Sequence, residues 1–535
     1  MKIVYSIILL VTFNLFSNGQ AIGEFQSIEP VSQDVLFHLP ATHAFQVLTY
    51  SGTTLGDGKT MGVWNDFTGY VPINNSSENG YLCVNSEFVP GGVSIHDLQF
   101  NATTGLWEVT GSGAVDFSHF NCSVVSGGTV ANCSGGITPW GTMITCEEND
   151  INFAVLCNVE GYPTFGWNIE IDPATREVKD QDNDGDPDKV WAMGLMKHEN
   201  VTFAQDSITS YYGDDNETSG FVFKFIAANK ANLSSGNLYV LKLDAGVTSG
   251  SWVQVPNTSQ SDRGNTVSLS SNLGGTKFDR VEDVEIGTDG KIYFASTGQN
   301  KIFRFQDDGI SVSAFEIYVD NIEYPVIHAG GTKMTLFSSP DNLAFDKEGN
   351  LWVTQDGGSN YMWVIRPNHS PSSPAVEVFG GTPKDCEPTG ITFTPDGKFM
   401  FLSFQHPATS NNGSQTDVAG NTVVLNKDAT LVLARKEFLG AQDTTSIGVA
   451  DLKLEVLKVY PNPATDYIRI ELTSDFFGEM NLNLFDASGK LMRSGRYEIH
   501  FGLNTVQLSV DDLSKGSYIL EMRHKDKAFS HVFKN

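Results

Sequence analysis

The chain has 535 residues, a length that suits two or three domains, and 40% of them are hydrophobic, which argues against global disorder. The formal net charge of −29 argues against nucleic acid and anionic membrane surfaces as partners, because phosphate groups are bound mainly by Lys and Arg. The 52 glycines and 35 phenylalanines favour an all-β protein with many tight turns.

The first residues are typical of a signal peptide. Lys2 supplies the positive charge, residues 3–16 are apolar but too short to span a bilayer, and Gly19 and Ala21 suit a cleavage site. A twin-arginine pair is absent from this stretch, so we expect export by the Sec route. The mature chain is expected to have no membrane span.

Residues 22–437 repeat a pattern of two strands joined by a tight turn. Asp-Gly and related pairs supply the positive φ that such turns need. The turns fall at Gly80, Gly141, Ser207, Gly290, Gly349 and Gly397. Their spacing is typical of propeller blades with loop insertions, so we predict a six-bladed β-propeller, with a seventh blade as the alternative.

One position of this repeat carries residues that can bind metals. Eight residues before the turn, from the second copy to the sixth, stand Cys133, Glu199, Glu282, Asp341 and Thr389. The first strand of a blade lines the central channel, so these residues are predicted to form a ring around the axis. Oxygen ligands suit calcium, and a thiolate indicates a softer metal such as iron. The alternative is a solvated channel mouth.

Further candidates stand close to this position. Arg280 and Glu387 come two residues before it in the fourth and sixth copies. Seven residues after the turns stand Glu87, Glu148, Asp214 and Asp356. An arginine among carboxylates can bind a phosphate through two hydrogen bonds while metals polarise it.

Some residues have weaker support. Cys146 is a second candidate thiolate, although the repeat favours Cys133. His198 and His406 lie near the predicted ring, but a lone histidine is more often structural. Cys122 and Cys133 are candidates for a disulfide in an oxidising compartment, in competition with a ligand role for Cys133.

An acidic stretch resembles the first half of an EF-hand calcium loop. Its carboxylates are Asp180, Asp182, Asp184 and Asp188, with Gly185 at the sixth position. Trp191 stands where the loop would need a bidentate glutamate. A calcium site and an exposed acidic hairpin both remain open.

The C-terminal residues 458–535 alternate short strands with turns, a pattern typical of a small β-sandwich, and residues 438–457 are predicted to be a linker. Pro461-Asn462-Pro463 and the turns at 486–490 and 513–518 resemble the type A sorting domain of the type IX secretion system. The resemblance implies a protein secreted or displayed at the cell surface, with that machinery as a partner.

Residues 45–410 resemble the PhoX-type alkaline phosphatases. The most specific match is Asn132-Cys-Ser-Gly-Gly-Ile-Thr-Pro-Trp-Gly-Thr142. Shorter matches follow the family's order at 65–72, 196–200, 212–215, 279–285, 340–345 and 404–407. The resemblance implies hydrolysis of phosphomonoesters at a cluster of iron and calcium ions at the channel mouth.

The resemblance also implies roles for individual residues. Arg280 would contact the phosphate, with Glu282 beside it as a second catalytic residue and a metal ligand. The metal ligands would be Cys133, Glu199, Asp214, Glu282, Asp341 and Glu387. Two departures stand out: Ser86 replaces a histidine common in the family, and a Sec signal replaces twin-arginine export.

Two other functions remain open: a non-catalytic, calcium-stabilised propeller that binds glycans or proteins, and a calcium-dependent, lactonase-like hydrolase. Arg280 and Cys133 together favour the phosphatase. We expect a monomer that acts on phosphorylated small molecules.

Overall fold

A computed structural model describes residues 21–121, 125, 127–148, 158–246, 248–440, 454–474, 478–499, 502–524 and 527–535. The predicted signal peptide, except Ala21, lies outside these residues, as do Cys122 and most of the predicted linker. Within them the chain is all-β, as the composition predicted, and it divides into two compact parts, residues 1–442 and 443–535.

The larger part contains six antiparallel units that follow one another along the chain. Units 1 and 2 are four-stranded sheets: β2 (Asn65–Pro72), β3 (Asn79–Ser86), β4 (Gly92–Asn101) and β5 (Leu106–Ala114), then β6 (Asn132–Ile137), β7 (Met143–Glu147), β10 (Asn168–Asp172) and β11 (Glu177–Val178). A small hairpin, β8 (Asn158–Val159) with β9 (Tyr162–Pro163), interrupts unit 2.

Units 3 and 4 share a nine-stranded sheet. Unit 3 comprises β12 (His198–Phe203), β13 (Thr209–Asp214), β14 (Val222–Asn229), β15 (Asn232–Leu243) and β16 (Gly250–Val255). Unit 4 comprises β17 (Val281–Ile286), β18 (Ile292–Ser296), β19 (Lys301–Asp307) and β20 (Ser311–Val319). The last strands, β16 and β20, pair and join the two units.

Unit 5 comprises β23 (Pro340–Phe345), β24 (Leu351–Gln355), β25 (Tyr361–Ile365) and β26 (Val376–Gly381). Unit 6 comprises β27 (Glu387–Phe393), β28 (Phe399–Gln405), β31 (Ala429–Arg435) and the N-terminal strand β1 (His43–Tyr50). Because β1 pairs with β31, the start of the chain completes the last unit.

Short elements lie between the units, or between two strands of the same unit. They are the hairpins β21 (Glu323–His328) with β22 (Gly331–Leu336) and β29 (Ser414–Thr416) with β30 (Thr422–Val424), the helices α1 (Gln260–Gly264) and α2 (Thr266–Asn272), and the 3-10 turns Ile73–Asn75, Ser118–Phe120 and Trp191–Met193. None of the helices in the described ranges is long and apolar enough to cross a membrane.

The first strands of the six units contact one another in chain order, and β27 of unit 6 contacts β2 of unit 1. The apolar core follows the same order, because each neighbouring pair of units shares a buried cluster. At the junction of units 6 and 1, for example, Phe399 packs edge-on against Trp107, with ring centroids 5.3 Å apart. The burial of apolar side chains between units therefore closes the ring.

Every first strand carries a register shift near its start. The shifts lie at 65/68, 132/135, 198/201, 281/284, 340/343 and 389/392. A bulge of this kind redirects the side chains that it contains. The first residue inside each bulge is Asp66, Cys133, Glu199, Glu282, Asp341 or Gly390.

The smaller part has two antiparallel sheets. The first contains β32 (Leu454–Tyr460), β33 (Tyr467–Ser474) and β36 (Gly502–Ser509), and the second contains β34 (Gly478–Asp486), β35 (Leu491–Ile499), β37 (Ser517–His524) and β38 (Lys527–Lys534). Both sheets contribute to one buried core, to which Ile470 and Leu482 belong.

Both ends of the predicted linker, residues 438–457, lie in folded parts of the chain. Leu439 is buried against the core of units 1 and 6, and the Gly440 N–H donates to the Gly105 carbonyl over 2.7 Å. On the other side, β32 already begins at Leu454. Residues 438–440 and 454–457 therefore belong to the folded parts, and the bounds of the linker stay a prediction.

Candidate functional site

The bulges bring a thiol and carboxylates from different units together. The Cys133 Sγ lies 3.3 Å from each carboxylate oxygen of Glu199 and 3.5 Å from Asp66 Oδ2. These three residues come from β6, β12 and β2, the neighbouring first strands of units 2, 3 and 1. Cys133 is a free thiol in the structure, as a ligand role requires.

A second row of acids follows the second strands of the units. Its members are Glu87, Glu148, Asp215 and Asp356. The backbone N–H of each acid donates to the carbonyl of the residue directly before the first strand of its unit. In the same order these residues are Trp64, Ala131, Lys197 and Ser339, and the bonds are 2.9 to 3.1 Å long. Because the same backbone hydrogen bond recurs, these acids occupy equivalent positions in units 1, 2, 3 and 5.

Three overlapping groups have ligand atoms within 4.8 Å of one another: Asp66, Glu87 and Cys133; Cys133, Glu148 and Glu199; and Glu199, Asp215 and Glu282. Beyond them, the side chain of Asp341 is hydrogen-bonded to that of Glu387. We call these residues, together with Asp356, the acidic cluster.

Burial makes the negative charge of this cluster costly. The pKa values of Asp66, Glu148, Glu199, Glu282 and Glu387 lie well above their usual range, because burial and neighbouring carboxylates disfavour ionisation. Burial, followed by the charge of Asp356, raises the pKa of Asp341 to about 7. The pKa of the Cys133 thiol is raised by burial and by Asp66 and Glu199.

The donor set fits cations. Asp66 Oδ1 is buried and accepts no hydrogen bond from the described residues. The basic side chains that ion-pair with the cluster within the described ranges are Arg280 and Lys197, the latter 3.8 Å from Glu148 Oε1. Two such charges do not balance the acids, so hard cations are the natural partners for the oxygens and a softer metal for the thiolate.

Arg280 stands at the edge of the cluster, directly before β17. Its Nε donates to Asp215 Oδ1 over 3.0 Å, and its Nη2 lies 2.6 Å from Glu282 Oε1. The side chain remains 36% exposed, while those two carboxylates are nearly buried. The guanidinium is therefore held in place by two buried carboxylates, and its exposed part is accessible to a dissolved anion.

The structure places several predicted residues differently. Asp215, and not Asp214, belongs to the ligand groups of the described residues. Asp214 is the backbone partner of His198 in the β12–β13 ladder, and its Oδ1 accepts from the Lys197 N–H over 3.3 Å. Thr389 is one residue out of register: its hydroxyl donates to the Asn65 carbonyl over 3.1 Å. Gly390 takes the bulge position with φ +60°, and a Cβ there would lie 2.2 Å from the Thr68 nitrogen. Unit 6 instead contributes Glu387.

Asp66 was missed because of a longer turn. The predicted turn at Gly80 was wrong, because Gly80 lies inside β3 and residues 73–78 separate β2 from β3. Counting back eight residues from Gly80 therefore reaches Pro72, at the wrong end of β2. Alignment on the strand start would have found it, since Asn65-Asp66 and Asn132-Cys133 match there. Gln405 was missed as well; its amide donates to Glu87 Oε2 over 3.0 Å and to Asp66 Oδ2 over 3.4 Å.

The weaker candidates lie outside the cluster. His198 Nε2 is 2.8 Å from the Gly194 carbonyl, and burial lowers the pKa of this histidine to about 4. Cys146 belongs to the apolar core between units 2 and 3. His406 packs its ring edge-on against Trp64, with centroids 4.4 Å apart.

The acidic loop at 180–188 is largely satisfied by its own backbone. Asp180, Asp182 and Asp188 have oxygens within 4.8 Å of one another, and Asp184 is not part of that group. Asp180 accepts hydrogen bonds from the Asn183 and Gly185 nitrogens, and Asp188 accepts them from the nitrogens of Gln181 and Asp182. Calcium binding by this loop stays a prediction.

Comparison with known protein families identifies the family of the larger part of the chain. The model of the family described as alkaline phosphatase PhoX matches residues 108–408, more than half of the chain. The chain belongs to the alkaline phosphatase PhoX family. The family match supports a metal-dependent phosphatase. A search of curated protein sequences found no match.

A solved PhoX structure shows the fold of this chain. PhoX of Pseudomonas fluorescens, in complex with the transition state analogue vanadate, is 22% identical with a TM-score of 0.59, and the match covers 78% of this chain and 98% of that one. Two others are more remote. A Bacteroides thetaiotaomicron protein of unknown function has 9% identity and a TM-score of 0.38, covering 75% of this chain and 76% of that one. A streptogramin B lyase has 10% identity and a TM-score of 0.36, covering 74% and 98%.

The smaller part of this PhoX-family chain is also recognised. A secretion system C-terminal sorting domain matches residues 458–533. This confirms the type IX sorting domain that the motifs predicted, and it indicates secretion to the cell surface or beyond.

Proposed function

We propose that the six units are the blades of a β-propeller, that the sorting domain is a β-sandwich, and that the protein hydrolyses phosphomonoesters at the acidic cluster. Arg280 carries the functional proposal. A half-exposed guanidinium, braced by Asp215 and Glu282 at the rim of a buried thiol and carboxylate cluster, suits recognition of a phosphate. Arg280 and Glu282 are the proposed catalytic residues.

We further propose calcium and iron as the cofactors. The residues that would hold them are Asp66, Cys133, Glu148, Glu199, Asp215, Glu282, Asp341 and Glu387. Bound cations would polarise the phosphoryl oxygens and offset the repulsion among the carboxylates. Arg280 would bind the phosphate and orient it, and the burial of the cluster would keep bulk water away from the reacting atoms.

Replacing Arg280 tests the phosphate contact. Arg280→Lys keeps the charge but loses the planar fork. With p-nitrophenyl phosphate we expect kcat/KM to fall roughly 10- to 1000-fold, while metal content measured by mass spectrometry stays unchanged. Arg304→Lys is a matched control, because Arg304 also pairs with an acid, Glu316 at 2.7 Å, but on the β19–β20 hairpin outside the cluster.

Three results would argue against the proposal. A lower melting temperature of Arg280→Lys with unchanged kinetics would make the arginine structural. Wild-type protein containing calcium without iron would favour a binding propeller or a lactonase-like hydrolase. Wild-type protein with both metals and no phosphatase activity would refute the assignment directly.

Deleting residues 454–535 tests the sorting domain. The deletion removes the whole smaller part and leaves the six units intact, so folding and phosphatase activity should be retained. The truncated protein should accumulate in the periplasm, measured by cell fractionation and immunoblotting. Normal export of the truncated protein would show that the domain is dispensable for secretion.

A further inference from the structure

Three aromatic rings stand at the edge of the acidic cluster: Trp64, Phe88 and His406, which we call the aromatic rim. We propose that the aromatic rim binds the organic part of the substrate, so that the enzyme prefers phosphomonoesters carrying a planar ring, such as nucleoside 5′-monophosphates. The inference rests on the proposed phosphatase function and specifies its substrate class.

Trp64 occupies in unit 1 the position that Arg280 occupies in unit 4. Each stands directly before its first strand and two residues before a cluster carboxylate, Asp66 or Glu282. Their φ values are +56° and +52°. The Trp64 carbonyl accepts from the Glu87 N–H over 2.9 Å, and the Arg280 carbonyl accepts from the Thr297 N–H over 3.1 Å. The indole and the guanidinium therefore start from equivalent backbone positions on opposite units of the closed ring.

The other two rings are tied to the cluster by the chain. Phe88 directly follows Glu87, and His406 directly follows Gln405, whose amide donates to Glu87 and Asp66. Trp64 contacts both rings edge-on, with centroids 5.2 Å from Phe88 and 4.4 Å from His406. An apolar group bound to these rings would thus be adjacent to the acidic cluster.

The rim presents apolar surface to solvent beside a strongly charged site. Trp64 is 40% exposed and Phe88 41%, and the neighbouring Val63 and Val89 are exposed to a similar degree. Contiguous exposed apolar side chains of this kind commonly mark binding sites. Continuity with the cluster that would hold the phosphate identifies the occupant as the rest of the same ester.

The rim is also held rigidly. The Asp428 carboxylate accepts from the Trp64 N–H over 2.6 Å and from the His406 N–H over 3.1 Å. Positive φ is rare for a residue as bulky as tryptophan, and it persists only where surrounding bonds enforce it. A fixed aromatic surface loses little conformational entropy on binding, which favours stacking of a planar ring.

The test compares 5′-AMP with ribose 5-phosphate, which share the same leaving alkoxide and differ by the base. We expect the wild-type kcat/KM to be on the order of 10-fold higher for 5′-AMP, since one base stacks on one aromatic surface. Trp64→Ala should remove most of that preference, with the kcat/KM for ribose 5-phosphate changing no more than about 2-fold. Phe88→Ala should act in the same direction, and Trp64→Phe should restore part of the preference.

Ile310→Ala is the matched control, because Ile310 is an exposed hydrophobic residue, 82% accessible, at the turn between β19 and β20. It should leave the preference unchanged. Equal kcat/KM values for the two esters, or an equal fall for both in Trp64→Ala and Phe88→Ala, would overturn the aromatic rim while leaving the phosphatase proposal intact. Absence of activity on either ester and on p-nitrophenyl phosphate would overturn both. If Trp64→Ala fails to fold, the Phe88→Ala result decides.

Discussion

Cys133→Ser is expected to abolish phosphatase activity together with iron content, with a loss of at least about 100-fold in kcat. The Cys133 sulfur lies within 3.3 Å of Glu199 and within 3.5 Å of Asp66, so it belongs to two of the three ligand groups. Serine preserves the shape of the side chain, but its hydroxyl is a much poorer ligand for a soft metal than a thiolate. Steady-state kinetics and metal analysis on the purified variant measure both losses.

Cys146→Ser is the matched control. Cys146 is buried on β7 among apolar side chains and takes part in none of the ligand groups of the described residues. A hydroxyl placed there should cost about 1–3 kcal/mol of stability through unfavourable burial. Iron content and kcat should remain. If Cys146→Ser lost its iron and Cys133→Ser kept it, the assignment of the thiolate ligand would be wrong.

Exhaustive chelation with EGTA is expected to abolish hydrolysis of p-nitrophenyl phosphate and to lower Tm by on the order of 10 °C at pH 8. Without cations, the buried carboxylates repel one another once they ionise. The pKa of Asp341 is raised to about 7 in the folded protein, above its value in the unfolded chain. A raised pKa contributes stability below the unfolded value, and that stability is lost as the pH rises through about 7.

The effect of EGTA on Tm should therefore be smaller at pH 5 than at pH 8. Thermal melts at both pH values, with and without EGTA, measure the difference. Added calcium should restore Tm and activity, whereas magnesium, which demands a stricter octahedral geometry, should restore less. Robust activity after chelation would refute the dependence on calcium.

The hairpin repeat could be predicted from the sequence where the turn needs a residue with positive φ, as at Gly290, Gly349 and Gly397. The spacing from turn to strand start then located Cys133, Glu199, Glu282 and Asp341, all of which lie at the bulge position. The distance from turn to strand start is not constant in all units. Unit 1 has a longer turn, which hid Asp66, and the bulge of unit 6 begins one residue later, which displaced Thr389.

The cluster as a whole was less predictable, because its members meet through contacts between sheets. Asp214 and Asp215 are adjacent acids, and only the pairing of β13 with β12 decides which of them faces the other ligands. The aromatic rim was likewise hidden. Trp64 and Phe88 meet through the pairing of β2 with β3, and His406 joins them because unit 6 contacts unit 1.

Because β1 pairs with β31, unit 6 is complete only when strands from both ends of the larger part are present. Candidate ligands are spread from Asp66 to Glu387. The outer strand that completes unit 6 is β1, which precedes all of these ligands in the sequence. On the proposed metal assignment, a chain that lacks either residues 43–50 or residues 429–435 would hold its candidate ligands while unit 6 is still incomplete. We therefore expect metals to bind fully only after these two strands have paired.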